Sequence, residues 1–173
     1  KAVAVIGASR TPGKVGHVVV ANLIESGYEG TILPINPSAD EVLDLPCHPD
    51  LKTAGQKIDL SVISVPTKFV KQAVHDSIEA GAGAIVVITA GFKEVSEEGA
   101  AQERELAEYC RARNVTMLGP NCLGLINAHH KMNASFASQM PKPGGISIFS
   151  QSGALCTAIL DWAKPHNLGF STI

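Results

Sequence analysis

Aromatic residues are scarce in this chain, at 5% of 173 positions, and Trp162 is the single tryptophan. A core built here must be aliphatic, and the 45% hydrophobic content is ample for one, which excludes intrinsic disorder. An excess of charge of one sign is lacking too. Fourteen basic residues face 16 acidic ones for a net charge of −2, which removes the basic signature of a nucleic-acid binder. No apolar run approaches the roughly 18–20 residues of a membrane span, and no signal-peptide pattern opens the chain. Cys47, Cys110, Cys122 and Cys156 form no CxxC pair, so they read as reduced thiols of a cytoplasmic protein. The six histidines show no zinc spacing, and adjacent His129 and His130 do not converge on one ion, so no metal is expected. Lys1 stands where a Met would open a full chain, as expected of processing or of a piece of something longer. The length suits one domain, or one domain and part of another.

Short apolar runs alternate with amphipathic stretches. Ala2–Ile6, Thr31–Ile35, Leu60–Val65, Ala84–Ile88 and Val115–Leu118 are rich in Val and Ile and lack polar alternation, so they read as strands buried on both faces. Helices are expected over 14–26, with Val15, Val19 and Leu23 inward, and over 67–80, with Val70, Val74 and Ile78 inward. A third is expected over 97–113, opened by Ser96 with Glu97 and Glu98 in its first turn and burying Leu106 and Cys110. Gly27 and Gly81 stand where helix ends want a left-handed residue. This rhythm predicts an α/β fold, a Rossmann-like doubly wound parallel sheet, over residues 1–127. Residues 128–143 have no clear period and end in Pro141-Lys142-Pro143, which reads as a linker. Residues 144–173 read as the start of a second α/β domain. Ile146–Phe149 is its strand, Ser152–Lys164 its helix with Leu155, Ile159 and Trp162 inward, and Phe170–Ile173 begins another strand. These few elements cannot bury their own apolar faces, so exposed apolar surface and a homo-oligomer are expected.

The first strand runs into Gly7-Ala8-Ser9-Arg10-Thr11-Pro12-Gly13-Lys14-Val15-Gly16, and a helix follows. Such a turn aims backbone N–H groups and the positive end of a helix dipole at one spot, an anion site. It is not a Walker loop: five residues separate Gly7 from Gly13, and Val15 stands where Ser or Thr would hold magnesium. It is not the dinucleotide fingerprint either. Ser9 replaces the second glycine, and the second strand ends in Asn36-Pro37-Ser38 without the acid that takes a ribose hydroxyl. Arg10 and Lys14 suit a ligand with more than one phosphate, or form a solvated basic edge.

Three more segments narrow the reading: Ile88-Thr89-Ala90-Gly91-Phe92, Leu118-Gly119-Pro120-Asn121-Cys122-Leu123-Gly124, and Ile148-Phe149-Ser150-Gln151-Ser152-Gly153. With the first loop they resemble the nucleoside-diphosphate-forming acyl-CoA synthetases, the superfamily of succinyl-CoA synthetase alpha subunits and ADP-forming acetate–CoA ligases. The resemblance implies that the first domain binds coenzyme A. Ser9–Gly16 would hold its phosphates, with Gly7, Arg10, Gly13, Lys14 and Val15 in or beside that loop. Asn36, Pro37 and Ser38 would lie near the adenosine, and Val65, Pro66, Thr67, Ile88, Thr89 and Ala90 along the pantetheine. Asn121 and Cys122 would lie near the thiol. Relatives often carry a lysine where this chain has Ser38, which weakens one phosphate contact unless Lys14 compensates. The second domain would be flavodoxin-like, its helix N-terminus at Ser150, Gln151, Ser152 and Gly153 receiving a phosphate. Acid, CoA and nucleoside triphosphate would give acyl-CoA, nucleoside diphosphate and phosphate.

None of the six histidines stands in the context of the family's phosphohistidine, so no catalytic residue is assigned within the chain. The chain alone is expected to be inactive, its nucleotide and magnesium held by further domains or a beta subunit with a nucleotide-grasp domain. Neither nucleic acid nor membrane is an expected partner. Cys122 reads as a packed or CoA-adjacent thiol rather than a nucleophile, and His17 as a phosphate contact or a satisfied core residue. Two other classes stand beside the ligase. One is the CoA- or acyl-CoA-sensing region of a fused protein lysine acetyltransferase, which shares this architecture. The other is a dinucleotide-binding redox module, disfavoured by the missing ribose acid.

Overall fold

The computed structural model describes the whole chain, residues 1–173. Its N-terminal part runs β1 (Ala2–Ile6), α1 (Val15–Glu25), β2 (Thr31–Ile35), a small hairpin of β3 (Glu41–Val42) and β4 (Leu45–Pro46), β5 (Leu60–Ile63), α2 (Thr67–Glu79), β6 (Ala84–Val87), α3 (Glu97–Arg111) and β7 (Thr116–Leu118). Five strands form one sheet in the order β2-β1-β5-β6-β7, every pairing parallel. The expected doubly wound α/β fold is therefore present.

The strand residues divide by parity between two cores. Ala2, Ala4, Ile6, Ile63, Ile85 and Val87 face Val70, Val74, Leu106 and Cys110 of α2 and α3. Val3, Val5, Leu60, Val62, Val86 and Ile88 face Val19, Val20 and Leu23 of α1. Those three α1 side chains are completely buried, each worth about 1.5–3 kcal/mol of transfer free energy. The inward faces anticipated for α2 and α3 are the ones observed, and Gly27 and Gly81 close α1 and α2 at φ +72° and +89°. Val15, expected inward, is 38% exposed because it lies in the open first turn of α1.

Strand order reverses between β1 and β5. Their C-terminal residues Ile6 and Ile63 are register partners, and the helices that follow pack on opposite faces of the sheet. A crevice must open between those two connections, the usual ligand position in such sheets.

Residues 128–143, expected as a linker, are largely ordered. β8 (Gly124–Asn127), a 3-10 turn (Ala128–His130) and β9 (Met132–Ser135) form an antiparallel hairpin, and β10 (Lys142–Ser147) starts before the expected boundary at 144. Ala134 joins the core beneath α1, whereas Ile126 joins the core of the C-terminal unit. The hairpin is short and faces a different layer on each side, so no single period marks it. It is locked to α1 by buried Asn22, whose Nδ2 donates to the carbonyls of Ser135 and Ala137, both at 2.8 Å.

The C-terminal unit adds α4 (Gly153–Ala163) and β11 (Gly169–Thr172), and its sheet runs β10-β11-β8-β9. The period expected for α4 is right but its face is displaced by about one position. Cys156, Leu160 and Ala163 pack on Ile126, Phe170 and Ile173, and Ile159 is only partly buried. Leu155 and Trp162, expected inward, are 52% and 58% exposed. No helix is long and apolar enough to cross a membrane.

Candidate functional site

At the end of β1 the chain turns through Gly7, φ +92°, where a Cβ would lie 2.9 Å from the carbonyl carbon of Ser64. It returns so closely that a Cβ on Gly16 would overlap the Gly7 carbonyl oxygen. The loop between is pinned by side chains. Asn36 Nδ2 donates to the Ala8 carbonyl at 2.6 Å, and its Oδ1 accepts from Ser38 N–H at 2.8 Å. His17 Nδ1 donates to the Ser9 carbonyl at 2.9 Å, and Ser9 Oγ accepts from Thr11 N–H at 3.1 Å. His17 thus holds the loop's shape.

Two helices begin at the crevice uncapped. α1 opens at Lys14 and α2 at Pro66, with no side-chain cap and no acid in either first turn. The N–H groups of Val15, Gly16, Thr67 and Lys68 find no acceptor in the chain. α3, by contrast, is closed: Ser96 Oγ accepts from Gly99 N–H, and Glu97 and Glu98 occupy its first turn. Free N–H groups with an aligned dipole favour an anion by about 0.3–1 kcal/mol, and up to about 2 when sheltered. The α1 end meets a cleft of about 670 Å³ through Lys14, Val15 and Gly16, and α2 reaches the same cleft through Pro66 and Phe69.

Gly7, Ser9, Lys14, Val15, Gly16, Asn36, Pro37, Val65 and Pro66 line this cleft. Arg10, Gly13 and Ser38 stand outside its lining, and Arg10 Nη2 donates to the Ser38 carbonyl at 3.5 Å. Thr67, Ile88, Thr89 and Ala90 do not line it either. Thr67 Oγ1 donates to the Ala90 carbonyl at 2.8 Å, Thr89 Oγ1 to that of Val65 at 2.7 Å, and Ile88 is buried. These hydroxyls stitch the carboxyl edges of β5 and β6 together.

A second cleft, of about 420 Å³, opens where the C-terminal unit meets the sheet and gathers Asn121, Cys122, Ser150, Gln151 and Gly153. Asn121 N–H donates to the Thr89 carbonyl at 3.0 Å. Cys122 Sγ points at the Val87 carbonyl at 3.3 Å, and burial pushes its pKa up, so it is a protonated donor rather than a thiolate. Ser152 is the N-cap of α4, its Oγ accepting from Leu155 N–H at 3.2 Å, and Ser150 Oγ accepts from Ser152 N–H at 3.0 Å. The cap hydroxyls are engaged, while the N–H groups of Gly153 and Ala154 lack acceptors.

Both clefts contain residues that sequence reasoning passed over. Asp50, Leu51, Phe69, Gln72 and Asp76 line the first, and Glu94 and Glu103 the second. Glu94 accepts from Gly91 N–H at 2.6 Å and Phe92 N–H at 3.2 Å, bonds that hold its carboxyl below the usual range. Phe69 was detectable as an aromatic off the buried stripe of its helix. Asp50 and Leu51 carry no periodic signal.

Comparison with known proteins bears on what enters these clefts. Residues 1–128 match the CoA binding domain family, and residues 143–173 the succinyl-CoA ligase like flavodoxin domain. The chain is 44% identical over all its length to acetate–CoA ligase [ADP-forming] I of Archaeoglobus fulgidus, of which it covers 25%. It is 37% identical to the alpha subunit of acetate–CoA ligase [ADP-forming] I of Pyrococcus furiosus, covering 38%. Acetyl-coenzyme A synthetase 1 of Ca. Korarchaeum cryptofilum, solved with phosphate and ADP, superposes on 99% of this chain with a TM-score of 0.93 and 39% identity, covering 37% of that chain. The chain thus spans between a quarter and two fifths of these relatives.

Proposed function

Because the chain belongs to the CoA binding domain family, we propose that it is the CoA-binding portion of an acyl-CoA synthetase that forms a nucleoside diphosphate, with the phosphates of CoA on the open N-terminus of α1. The observation that carries this reading is the pair of uncapped helix starts, α1 and α2, on one cleft at the reversal of strand order. The free N–H groups of Val15 and Gly16 and the Lys14 ammonium supply donors and positive charge without reorganisation. Asn36, held by two hydrogen bonds, offers no free carboxylate for a ribose diol, which disfavours a nicotinamide dinucleotide.

CoA when bound supplies the thiol that takes up the acyl group. The chain's own part is to hold and orient. Lys14, Val15 and Gly16 take phosphate oxygens, and Val65 and Pro66 flank the way toward the second cleft. There Gly153, whose N–H lacks an acceptor, lines the space where a transferring phosphate would be stabilised. The whole reaction would join acid, CoA and nucleoside triphosphate, giving acyl-CoA, nucleoside diphosphate and phosphate. The phosphorylated histidine, the nucleotide and its magnesium belong in this reading to segments or a subunit outside residues 1–173. Four free cysteines suit a cytoplasmic setting.

Calorimetry with CoA, its analogue lacking the 3′-phosphate and reduced NAD tests the proposal. CoA should bind best, and Lys14→Ala should weaken it about tenfold, the size of a charged hydrogen bond. Arg10→Ala should cost less, since that side chain leans on the Ser38 carbonyl. Preference for reduced NAD, or no CoA binding by folded protein, would overturn it.

A further inference from the structure

Three connections leave the carboxyl edge of the sheet side by side: residues 64–66 after β5, 88–96 after β6 and 119–123 after β7. The first lines the cleft at α1 through Val65 and Pro66, and the third lines the other cleft through Asn121 and Cys122. Ile88, Thr89 and Ala90, which open the middle connection, line neither cleft. Yet they are bonded to the neighbours on both sides.

Between β5 and β6 the backbone ladder ends where Ile88 N–H donates to the Ile63 carbonyl at 2.9 Å. Beyond that point two side chains take over. Thr89 Oγ1 donates to the Val65 carbonyl at 2.7 Å, and Thr67 Oγ1 crosses back to the Ala90 carbonyl at 2.8 Å. The Thr89 carbonyl in turn accepts from Asn121 N–H at 3.0 Å, which carries the tie to the third connection. Gly91, at φ +106°, permits the approach, since a Cβ there would lie 2.7 Å from Thr67 Oγ1. Threonine suits the task because its branched Cβ leaves χ1 few choices, so the hydroxyl is held in place. Valine has nearly the same shape, but only the hydroxyl can make these bonds.

Resting on the CoA reading above, we propose that Thr89 and Thr67 are positioning residues that fix the separation of the two clefts, so that one ligand spans both. Each acts through its neighbours: Thr89 through Val65 and Asn121, Thr67 through Ala90. A molecule with a group in each cleft gains its second contact at an effective concentration set by how well the spacing of the sites matches its own length. Independent movement of the connections lowers that concentration, and the loss falls on the spanning ligand alone. A ligand that ends at the N-terminus of α1 is held by Lys14, Val15 and Gly16, which make no hydrogen bond to the bridge.

The test is calorimetry on the 173-residue chain with CoA and with adenosine 3′,5′-bisphosphate, which lacks the pantetheine arm. Thr89→Val should weaken CoA about fivefold, the weight of one neutral hydrogen bond, and leave the bisphosphate within about twofold of wild type. Thr89→Ser should restore CoA, because it returns the hydroxyl. Thr67→Val should repeat the pattern, and decides alone if Thr89→Val does not fold. Equal weakening of both ligands in folded protein, unchanged CoA affinity, or no rescue by Thr89→Ser would overturn the bridge and leave the CoA reading standing. Absence of CoA binding to wild type would overturn both.

Discussion

Gly16 shows how one missing side chain shapes the cleft. A Cβ there would overlap the Gly7 carbonyl, and backbone, unlike the tip of a side chain, cannot swing aside. Gly16→Ala should therefore cost about 3 kcal/mol of stability, read as a lowered urea midpoint, and should abolish CoA binding as the first turn of α1 moves off β1. The cysteines act through their protons. Burial raises the pKa of Cys47, Cys110 and Cys122 above the ordinary 9.0. The folded state thus favours the neutral thiol, and this stabilisation is complete below the unfolded value and lost as pH climbs through the higher folded ones. Urea midpoints should hold to about pH 8.5 and then fall above pH 9, with a smaller fall in Cys122→Ala. At neutral pH Cys122 should react with thiol reagents more slowly than an unfolded-state cysteine.

Among elements, the β8–β9 hairpin deserves the name of a clasp. It lends Ala134 to the core beneath α1 and Ile126 to the core of the C-terminal unit. Asn22 fastens it, and at 8% exposure its side chain has no water to replace the hydrogen bonds it makes. Asn22→Ala should cost about 2 kcal/mol, the scale of leaving a buried carbonyl without its donor, and denaturant titration would measure it. Hydrogen exchange should then rise first in residues 132–137. The three N-terminal helices were legible because each buries a continuous apolar stripe ended by glycine or opened by Ser96. The hairpin was not, because its strands of four residues each lie between unlike layers.

At the scale of the whole molecule, polarity is distributed unevenly. The N-terminal unit closes its sheet on both faces, whereas the C-terminal unit exposes Phe149 at 86%, Trp162 at 58% and Leu155 at 52%. Leu155 and Trp162 stand seven residues apart on α4, so they form one apolar stripe facing outward. The Trp162 ring stacks with that of His166, 4.1 Å between centroids. The chain should bind hydrophobic dyes and associate as its concentration rises, and sedimentation velocity should show the association abolished in the double substitution Leu155→Gln with Trp162→Gln.

Strand-and-helix alternation, the doubly wound class and the glycine-bracketed loop after β1 were legible in the order of the residues. Each of these is written in neighbouring residues: Val and Ile runs, apolar stripes, Gly7 and Gly16 around Lys14. Tertiary structure alone decided which residues share a cleft. The reversal of strand order brings the end of β1 beside the start of α2, and so Lys14 into one space with Phe69, Gln72 and Asp76. It also sent Thr67 and Thr89 to the sheet edge as cross-links, and turned Leu155 and Trp162 outward. Periodicity tells how an element alternates, but which face is buried depends on what packs against it, and that partner lies far away in the chain.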